Sequence, residues 1–246
     1  MNSKVHAAMH ISGSEPGPLV DEVALLASRL PLDDARVLEL GCGAAVVTRA
    51  LAGLGRARSI LALEVDTTQH ALNLAAPPAP GVTFAHGGAE AIPAADASAD
   101  VVLMLRSLHH VPLDQLDTAL RELRRVLRPG GLAWILEPVF AGPFNDIIRF
   151  FNDEEVVRRA AFDAVRRAVA DGVFELVDER FYRVARTFPD FATFEQRVIG
   201  ATFNAVRLSP EDHAEVRRRF EAHVGPGERG ARFEQPLRVD LLRRPE

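Results

Sequence analysis

The run Glu39-Leu40-Gly41-Cys42-Gly43 joins an apolar segment to a helix-compatible one, a pattern typical of turns that bind nucleotides. Glycine lets the backbone bend sharply and approach a ligand closely, and the free N–H groups of the helix that follows can donate to an anionic group. The dinucleotide fingerprint GxGxxG would need glycine or alanine at position 46, where the chain has Val46. The other pattern has an acidic residue two positions before the first glycine and a small residue two after the second. Glu39 and Ala45 satisfy it.

Asp66 follows the second apolar run, 23 residues after Gly43. In a doubly wound sheet the end of this strand faces the ligand crevice, where a carboxylate can accept hydrogen bonds from both hydroxyls of a ribose. The alternative is that Asp66 caps the next helix and that the two glycines only shape a turn. Because the glycine turn and the acidic residue occur together at the expected strand ends, the sequence favours a nucleotide site.

His109, His110 and Glu137 follow two further apolar runs, at 101–105 and 132–136. In this kind of sheet the two strands are neighbours and end at the same edge, so an imidazole and a carboxylate can meet there. One histidine would then abstract a proton from a substrate while Glu137 orients its ring. The alternative is that the histidine pair only fixes the loop.

Aromatic and apolar side chains crowd residues 139–151, directly after the fifth apolar run. The candidate pocket residues in this segment are Phe140, Phe144, Ile147, Arg149 and Phe151. They predict either a lid over an apolar or aromatic ligand or an ordinary core helix, and the sequence leaves both open. The guanidinium groups of Arg149 and Arg106 can bind a carboxylate or a phosphate.

The elements that must position these residues alternate regularly. Apolar runs separated by helical segments lie at 36–40, 60–63, 82–84, 101–105 and 132–137, and strand-like alternation returns at 173–187 and 237–241. This alternation predicts an α/β fold with a doubly wound, mostly parallel, Rossmann-like sheet. We expect seven strands, with an antiparallel C-terminal strand and helical lid insertions.

Composition bounds the kind of protein. The 246 residues are 48% hydrophobic and 26% charged, with a formal net charge of −5, although 28 of the 29 basic residues are arginine. The acidic balance argues against a nucleic-acid partner. One cysteine excludes an internal disulfide and any multi-cysteine zinc site, and no metal is predicted. Since no signal peptide and no 18-residue apolar stretch is recognisable, we expect a cytoplasmic protein without a membrane partner, as a monomer or homodimer.

Six motifs in order make the chain resemble the class I S-adenosylmethionine-dependent methyltransferases over roughly residues 20–138. It is most similar to the group that holds the quinone-biosynthesis and other small-molecule methyltransferases. The motifs are VLELGCGAA at 37–45, LEVDTT at 63–68, GGAEAIP at 87–93, ADVVLML at 99–105, LHHVP at 108–112 and RVLRPGGL at 125–132.

The resemblance implies S-adenosylmethionine as cofactor, S-adenosylhomocysteine as product, and a set of cofactor contacts. The residues that it places at the cofactor are Glu39, Gly41, Cys42, Gly43, Asp66, Thr67, Gly88, Ala89, Glu90 and Arg106. Asp66 would hold the ribose, Thr67 would pack beside the adenine, and the N–H of Ala89 would reach a ring nitrogen. Gly88 stands where the family usually has an aspartate that contacts the adenine amine, and losing one such hydrogen bond would weaken affinity by about 1 kcal/mol.

The resemblance also implies the organisation and the reaction. We expect one methyltransferase domain over 1–246, with an N-terminal arm at 1–15, a cofactor-binding core at 16–137, lid and acceptor-binding elements at 138–232 and a final strand at 233–246. The expected reaction is methyl transfer to a small molecule at oxygen or carbon, with His109 or His110 and Glu137 as catalytic residues. The alternatives are a methyltransferase that acts on tRNA or protein, and a cofactor-binding protein of this fold without methyl transfer.

Overall fold

The computed structural model describes residues 9–15, 17–201 and 207–246, and these residues form one seven-stranded mixed sheet in the order β3-β2-β1-β4-β5-β7-β6. The strands are β1 (Arg36–Leu40), β2 (Ser59–Glu64), β3 (Val82–His86), β4 (Ala99–Leu105), β5 (Leu127–Pro138), β6 (Glu175–Phe188) and β7 (Ala231–Arg243). The first five run parallel, whereas β7 is antiparallel to both of its neighbours. The prediction of a mostly parallel sheet with an antiparallel C-terminal strand is confirmed.

Helices connect the strands in the described residues. They are α1 (Glu22–Arg29), α2 (Val46–Gly53), α3 (Thr67–Ala75), α4 (Leu116–Val126), α5 (Pro143–Ile148), α6 (Glu155–Ala170), α7 (Phe191–Phe194) and α8 (Pro210–Glu221). Short 3₁₀ turns at Leu108–His110 and Leu113–Gln115 precede α4, and a π turn at Glu195–Ile199 follows α7. The fifth strand starts at Leu127 rather than at Leu132, because Leu127 already pairs with Ala99 of β4. Residues 128–131 bulge out between this pair and the next one, and Gly130 donates to the carbonyl of Arg244.

Two apolar layers cover the two faces of the sheet. On one face α4 and α6 pack against β1, β4 and β5 through side chains such as Leu120, Leu123 and Val165. On the other face α1 and α2 contribute Leu26 and Leu51. Helices on both faces of a parallel sheet leave the carboxyl ends of β1, β2, β4 and β5 as the open edge at which ligands bind in this architecture.

The last two strands extend past this edge. The pairing of β7 with β5 ends at Leu237 opposite Pro138, while β6 and β7 stay paired out to Phe188 and Ala231. We call residues 182–188 and 231–237 the β6–β7 extension. A separate cluster of buried side chains packs against it: Phe144, Ile147, Phe188, Phe191, Phe194, Val216, Phe220, Ala231 and Phe233. The molecule therefore has a phenylalanine core beside the open edge, apart from the two layers on the main sheet.

The N-terminal arm closes the free side of β6. Leu19 bridges to Arg183, the N–H of Val20 donates to the carbonyl of Arg183, and the N–H of Arg183 donates to the carbonyl of Pro18. An uncovered edge strand offers unpaired backbone groups to other chains, so these contacts protect the sheet. Residues 1–8 of the predicted arm lie outside the described residues. In the part of the chain that the structure describes, no helix has the length and apolarity needed to cross a membrane.

Candidate functional site

The glycine turn after β1 is built as the sequence predicts. Gly41 and Gly43 have φ angles of 69° and 53°, in the left-handed region that favours glycine. A Cβ on Gly41 would lie 2.7 Å from the Cβ of Ser107, so this glycine lets the β1 and β4 loops touch. A Cβ on Gly43 would meet no heavy atom within 4 Å. Since α2 also starts without a side-chain cap, the turn presents open space and helix N–H groups to the edge of the sheet.

Glu64, which the sequence analysis passed over, ends β2 and is 7% exposed. Its Oε2 accepts a hydrogen bond from the N–H of Gly43 (2.7 Å), and its Oε1 accepts one from the N–H of Asp66 (2.9 Å). This carboxylate, rather than that of Asp66, therefore lies at the strand end beside the glycine turn. The signal in the sequence was the acidic residue that directly follows the apolar run 60–63.

Asp66 is the N-cap of α3. Its Oδ1 accepts hydrogen bonds from the N–H of Thr68 (2.8 Å) and of Gln69 (3.2 Å). Asp66 therefore caps α3, as the alternative interpretation of the sequence stated. Thr67 is the exposed first residue of that helix. Val65, next to Glu64, is an apolar side chain that is 56% exposed at the crevice edge.

Glu39 lies under the glycine turn, 2% exposed, with its Oε2 accepting from the Thr48 hydroxyl at 2.6 Å. Burial raises its pKa to about 7. Burial, reinforced by the nearby acidic groups, raises the pKa of the Cys42 thiol to about 12, so this cysteine is no nucleophile at neutral pH. Its sulfur takes a weak contact from the Asn73 amide at 3.6 Å.

Gly88 and Glu90 form one local unit. A Cβ on Gly88 would overlap the carboxylate of Glu90, so Glu90 occupies the space that a side chain at position 88 would take. Between them, the N–H of Ala89 donates no hydrogen bond to any described residue although Ala89 is buried. The segment thus presents a carboxylate and a backbone donor side by side.

His109 and Glu137 meet at the ends of the β4 loop and β5, as the sequence predicts. Glu137 Oε2 and His109 Nδ1 form a short contact, and Glu137 Oε1 accepts from the N–H of Leu108 at 2.9 Å. Both side chains are almost fully buried, 3% and 2% exposed. Burial alone would raise the pKa of Glu137, but the charge and hydrogen bond of His109 outweigh burial and hold the pKa below its usual value. The pair therefore fixes the loop that carries His110.

His110 stacks on His109, with ring centroids 4.1 Å apart, and is exposed at the edge of the sheet. Desolvation by the surrounding protein lowers the pKa of His110 to about 4, and the charge of His109 lowers it further. The His110 ring is therefore neutral at pH 7. A neutral imidazole at this position can accept a proton. Of the two histidines, His110 is the one in reach of a molecule in the crevice.

Potential ligand atoms of His109, His110 and Glu154 lie within 4.8 Å of one another, the spacing of a metal site. However, Glu154 Oε2 already accepts from Arg158 Nη2 at 2.6 Å. A guanidinium in that place repels a second cation, so the geometry favours an ion pair over a metal. Arg158 is itself 8% exposed, so this arginine is buried against the protein rather than solvated on the face of α6.

Arg106 begins the loop after β4, and its charge acts on Glu39 under the glycine turn. Its guanidinium forms a bidentate pair with Glu22 of α1, at 2.6 Å and 3.2 Å, and its φ of 62° is in the left-handed region. The strain of that backbone is offset by the pair and by the hydrogen bond from the N–H of Arg106 to the carbonyl of Leu136. The role of Arg106 is thus to tie α1 to the loop after β4.

The aromatic segment after β5 divides in two. Phe144 and Ile147 are 5% and 1% exposed and belong to the phenylalanine core, with Phe151 packed against it. Arg149 is exposed and stacks on Phe140, with its guanidinium carbon 4.9 Å from the ring centroid. The core-helix alternative therefore describes α5, and its residues support the edge of the crevice from behind.

Residues 38–135 match the methyltransferase domain family. The chain is 31% identical over 185 residues to a phthiotriol/phenolphthiotriol dimycocerosates methyltransferase of Mycobacterium ulcerans, covering 71% of this chain and 63% of that protein. It is 32% identical over 105 residues to a ubiquinone biosynthesis O-methyltransferase of Parvibaculum lavamentivorans, covering 43% and 41%. The chain thus spans less than two thirds of the length of these relatives.

Solved structures agree in fold. The YcgJ protein of Bacillus subtilis superposes with a TM-score of 0.65 at 15% identity, over 91% of this chain and 98% of that one. A putative methyltransferase of Bacillus halodurans gives a TM-score of 0.61 at 18% identity, over 92% and 99%. Together with the glycine turn, the strand-end carboxylate and the sheet order, the family match identifies residues 38–135 as a methyltransferase domain, similar to the class I S-adenosylmethionine-dependent methyltransferases.

Proposed function

We propose that this protein transfers the methyl group of S-adenosylmethionine to a small molecule, at oxygen or carbon. The observation that carries the proposal is the pairing of an open glycine turn at Gly43 with the buried carboxylate of Glu64 at the end of β2. A nucleoside with two ribose hydroxyls and a charged tail matches this combination of groups.

The residues at the edge fit the cofactor in chemical type. Each oxygen of Glu64 accepts one hydrogen bond from the described residues, which leaves lone pairs for two ribose hydroxyls. The Ala89 N–H and the Glu90 carboxylate suit a ring nitrogen and an exocyclic amine, and exposed Val65 suits the adenine face. The space at Gly43 and the uncapped start of α2 suit the amino-acid tail. When bound there, the sulfonium supplies an electrophilic methyl group.

The protein's part in the reaction is then alignment and proton removal. An in-line displacement needs the acceptor atom held about 3–3.5 Å from the methyl carbon, which the loops after β4 and β5 can do. His110 accepts the proton that a hydroxyl or an acidic carbon loses, and the buried pair of His109 with Glu137 holds the loop in place. A small acceptor is supported by the acidic net charge, and by relatives named as a phthiotriol/phenolphthiotriol dimycocerosates methyltransferase and a ubiquinone biosynthesis O-methyltransferase.

Calorimetry with S-adenosylmethionine tests the proposal, with Glu64→Gln as the critical variant. The wild type should bind in the micromolar range. Removing the charge from the ribose-holding carboxylate should weaken binding about tenfold or more, since charge-assisted hydrogen bonds contribute about 1.5–3 kcal/mol.

Asp66→Ala is the matched control, because it removes a carboxylate two residues away. It should lower the free energy of unfolding by about 1 kcal/mol through loss of the α3 cap, with cofactor affinity nearly unchanged. Wild-type protein that binds neither S-adenosylmethionine nor S-adenosylhomocysteine would refute the proposed function. A loss of cofactor affinity in Asp66→Ala but not in Glu64→Gln would show that Asp66, and not Glu64, binds the ribose.

A further inference from the structure

Three polar atoms on one face of the β6–β7 extension are buried without a hydrogen bond of normal geometry to any described residue. They are Tyr182 Oη, Arg186 Nε and Gln235 Oε1. The indole N–H of Trp134 is the donor that approaches the Tyr182 oxygen, so it is the Tyr182 O–H that is left to donate. Gln235 pairs directly across from Val184, which lies between Tyr182 and Arg186 on the same strand, so all three side chains share one face. Buried polar groups are normally hydrogen-bonded. Three exceptions on a single face therefore leave polar groups there that a ligand could satisfy.

The charge at this place is positive. Arg186 forms no ion pair with any described carboxylate, and the segments outside the described residues contain no aspartate or glutamate. The charges that act on it are those of Arg106 and Glu22, which are already paired with each other. Burial, reinforced by Arg106, lowers the pKa of Arg186 to about 10. The guanidinium is therefore still protonated at neutral pH, and one positive charge is left over.

Tyr182 supplies a second donor beside this charge. It is 2% exposed, and burial raises the pKa of its phenol, so the hydroxyl keeps its proton at neutral pH. The same Glu22 and Arg106 charges act on Tyr182 and on Arg186. Four residues along a strand span roughly 13 Å, and the two long side chains can reach a group that lies between them.

The side chains next to the donors are aromatic and buried. The guanidinium carbon of Arg186 lies 5.3 Å from the ring centroid of Phe144, and that ring stacks on Phe188 at 5.9 Å. An apolar or aromatic molecule with one polar end matches this arrangement of rings and donors.

We propose that Arg186 and Tyr182 bind one carboxylate group of the methyl acceptor, whose apolar body lies in the crevice in front of the phenylalanine core. The acceptor is thus an aromatic or aliphatic carboxylic acid. A carboxylate carries one negative charge and matches the single excess positive charge, whereas a phosphate would bring up to two charges into a half-buried site with one unpaired cation. The inference rests on the proposed function, because it assigns the β6–β7 extension to the acceptor.

Binding of three probes tests the inference on the full chain saturated with S-adenosylhomocysteine. The probes are 4-hydroxybenzoate, its neutral methyl ester and phenyl phosphate, with affinities measured by calorimetry in wild type, Arg186→Met and Arg232→Met. Arg232 is an exposed arginine of β7 on the opposite face, so its replacement removes the same charge from the hairpin without touching the three orphaned atoms. Cofactor affinity in each variant reports separately on the proposed function.

We expect the wild type to bind the acid about tenfold or more tightly than the ester, and Arg186→Met to abolish that difference while Arg232→Met keeps it. Tyr182→Phe should reduce the preference partly, with unchanged affinity for the ester. Equal binding of acid and ester, no binding of either, or a preference that survives Arg186→Met would overturn the inference. Tighter binding of phenyl phosphate than of the acid would overturn the choice of a carboxylate. Failure of S-adenosylhomocysteine to bind would instead refute the proposed function.

Discussion

Single residues at the crevice show how one position can take over from another. The Glu90 carboxylate fills the space beside Gly88, where the family usually has an aspartate. Under the proposed function, Glu90 would accept the hydrogen bond of the adenine amine in place of that aspartate. A carboxylate at position 88 should therefore be able to replace the one at position 90.

Glu90→Ala should weaken S-adenosylmethionine binding about fivefold, the equivalent of one hydrogen bond of roughly 1 kcal/mol. Adding Gly88→Asp to that variant should restore the affinity, because the space is now free for the shorter side chain. Gly88→Asp alone should not improve on wild type, since two carboxylates would then compete for one site. Calorimetry on the four proteins of this cycle measures the coupling, and independent, additive effects would count against the substitution.

The two adjacent histidines should separate in function. His110→Gln should lower kcat by about 10²-fold or more with cofactor affinity and Tm unchanged, because it removes only the proton acceptor. His109→Gln should lower Tm as well, since it leaves Glu137 buried without its partner. Because the pKa of His110 is about 4, kcat should not fall from its protonation between pH 5.5 and 8. If His110→Gln turned over as fast as the wild type, His110 could not be the general base.

At the scale of elements, the apolar runs that alternate with helical segments predicted the parallel strands and the strand ends at which polar residues lie. They did so because strands covered on both faces are apolar throughout. The apolar run 60–63 located β2, which the structure gives as Ser59–Glu64. The resemblance placed the ribose carboxylate at Asp66. The hydrogen bond that favours Glu64 instead comes from the N–H of Gly43, a residue 21 positions away, so no local pattern indicates it.

The C-terminal elements were harder to predict for a related reason. Only part of β6 is buried, since one face meets the phenylalanine core and the other meets the N-terminal arm, so its alternation is weak. In the sequence, no pattern distinguishes Arg186 and Tyr182 from other strand residues. Their importance comes from unpaired polar atoms and from the neighbouring Arg106–Glu22 pair, which depend on contacts between distant segments.

For the whole molecule, the buried acid under the glycine turn links stability to pH. Burial raises the pKa of Glu39 from 4.5 to about 7, so the folded state favours the protonated form. The stabilisation from that proton is fully present below pH 4.5 and is lost as the pH rises through 7. The loss is about 3 kcal/mol, from the size of the shift at 1.36 kcal/mol per pKa unit.

Glu39→Gln should therefore be more stable than wild type at pH 8 and nearly equal to it at pH 4.5, because the amide still accepts from Thr48 without a charge. Urea unfolding of both proteins at the two pH values measures the difference directly. Comparing variant with wild type cancels other titrations such as His110, whose lowered pKa acts in the opposite direction. An unchanged difference between the two proteins across this range would show that Glu39 does not titrate there.

The separation of the phenylalanine core from the main sheet has a consequence for the order of events in turnover. Distinct apolar cores behave as separate cooperative units that can open at different free energies. Arg186 contacts the smaller unit through Phe144, whereas Glu64 and Gly43 belong to the main sheet. Under the proposed function, a local opening of the β6–β7 extension would release the methylated product while the main sheet keeps the nucleotide bound.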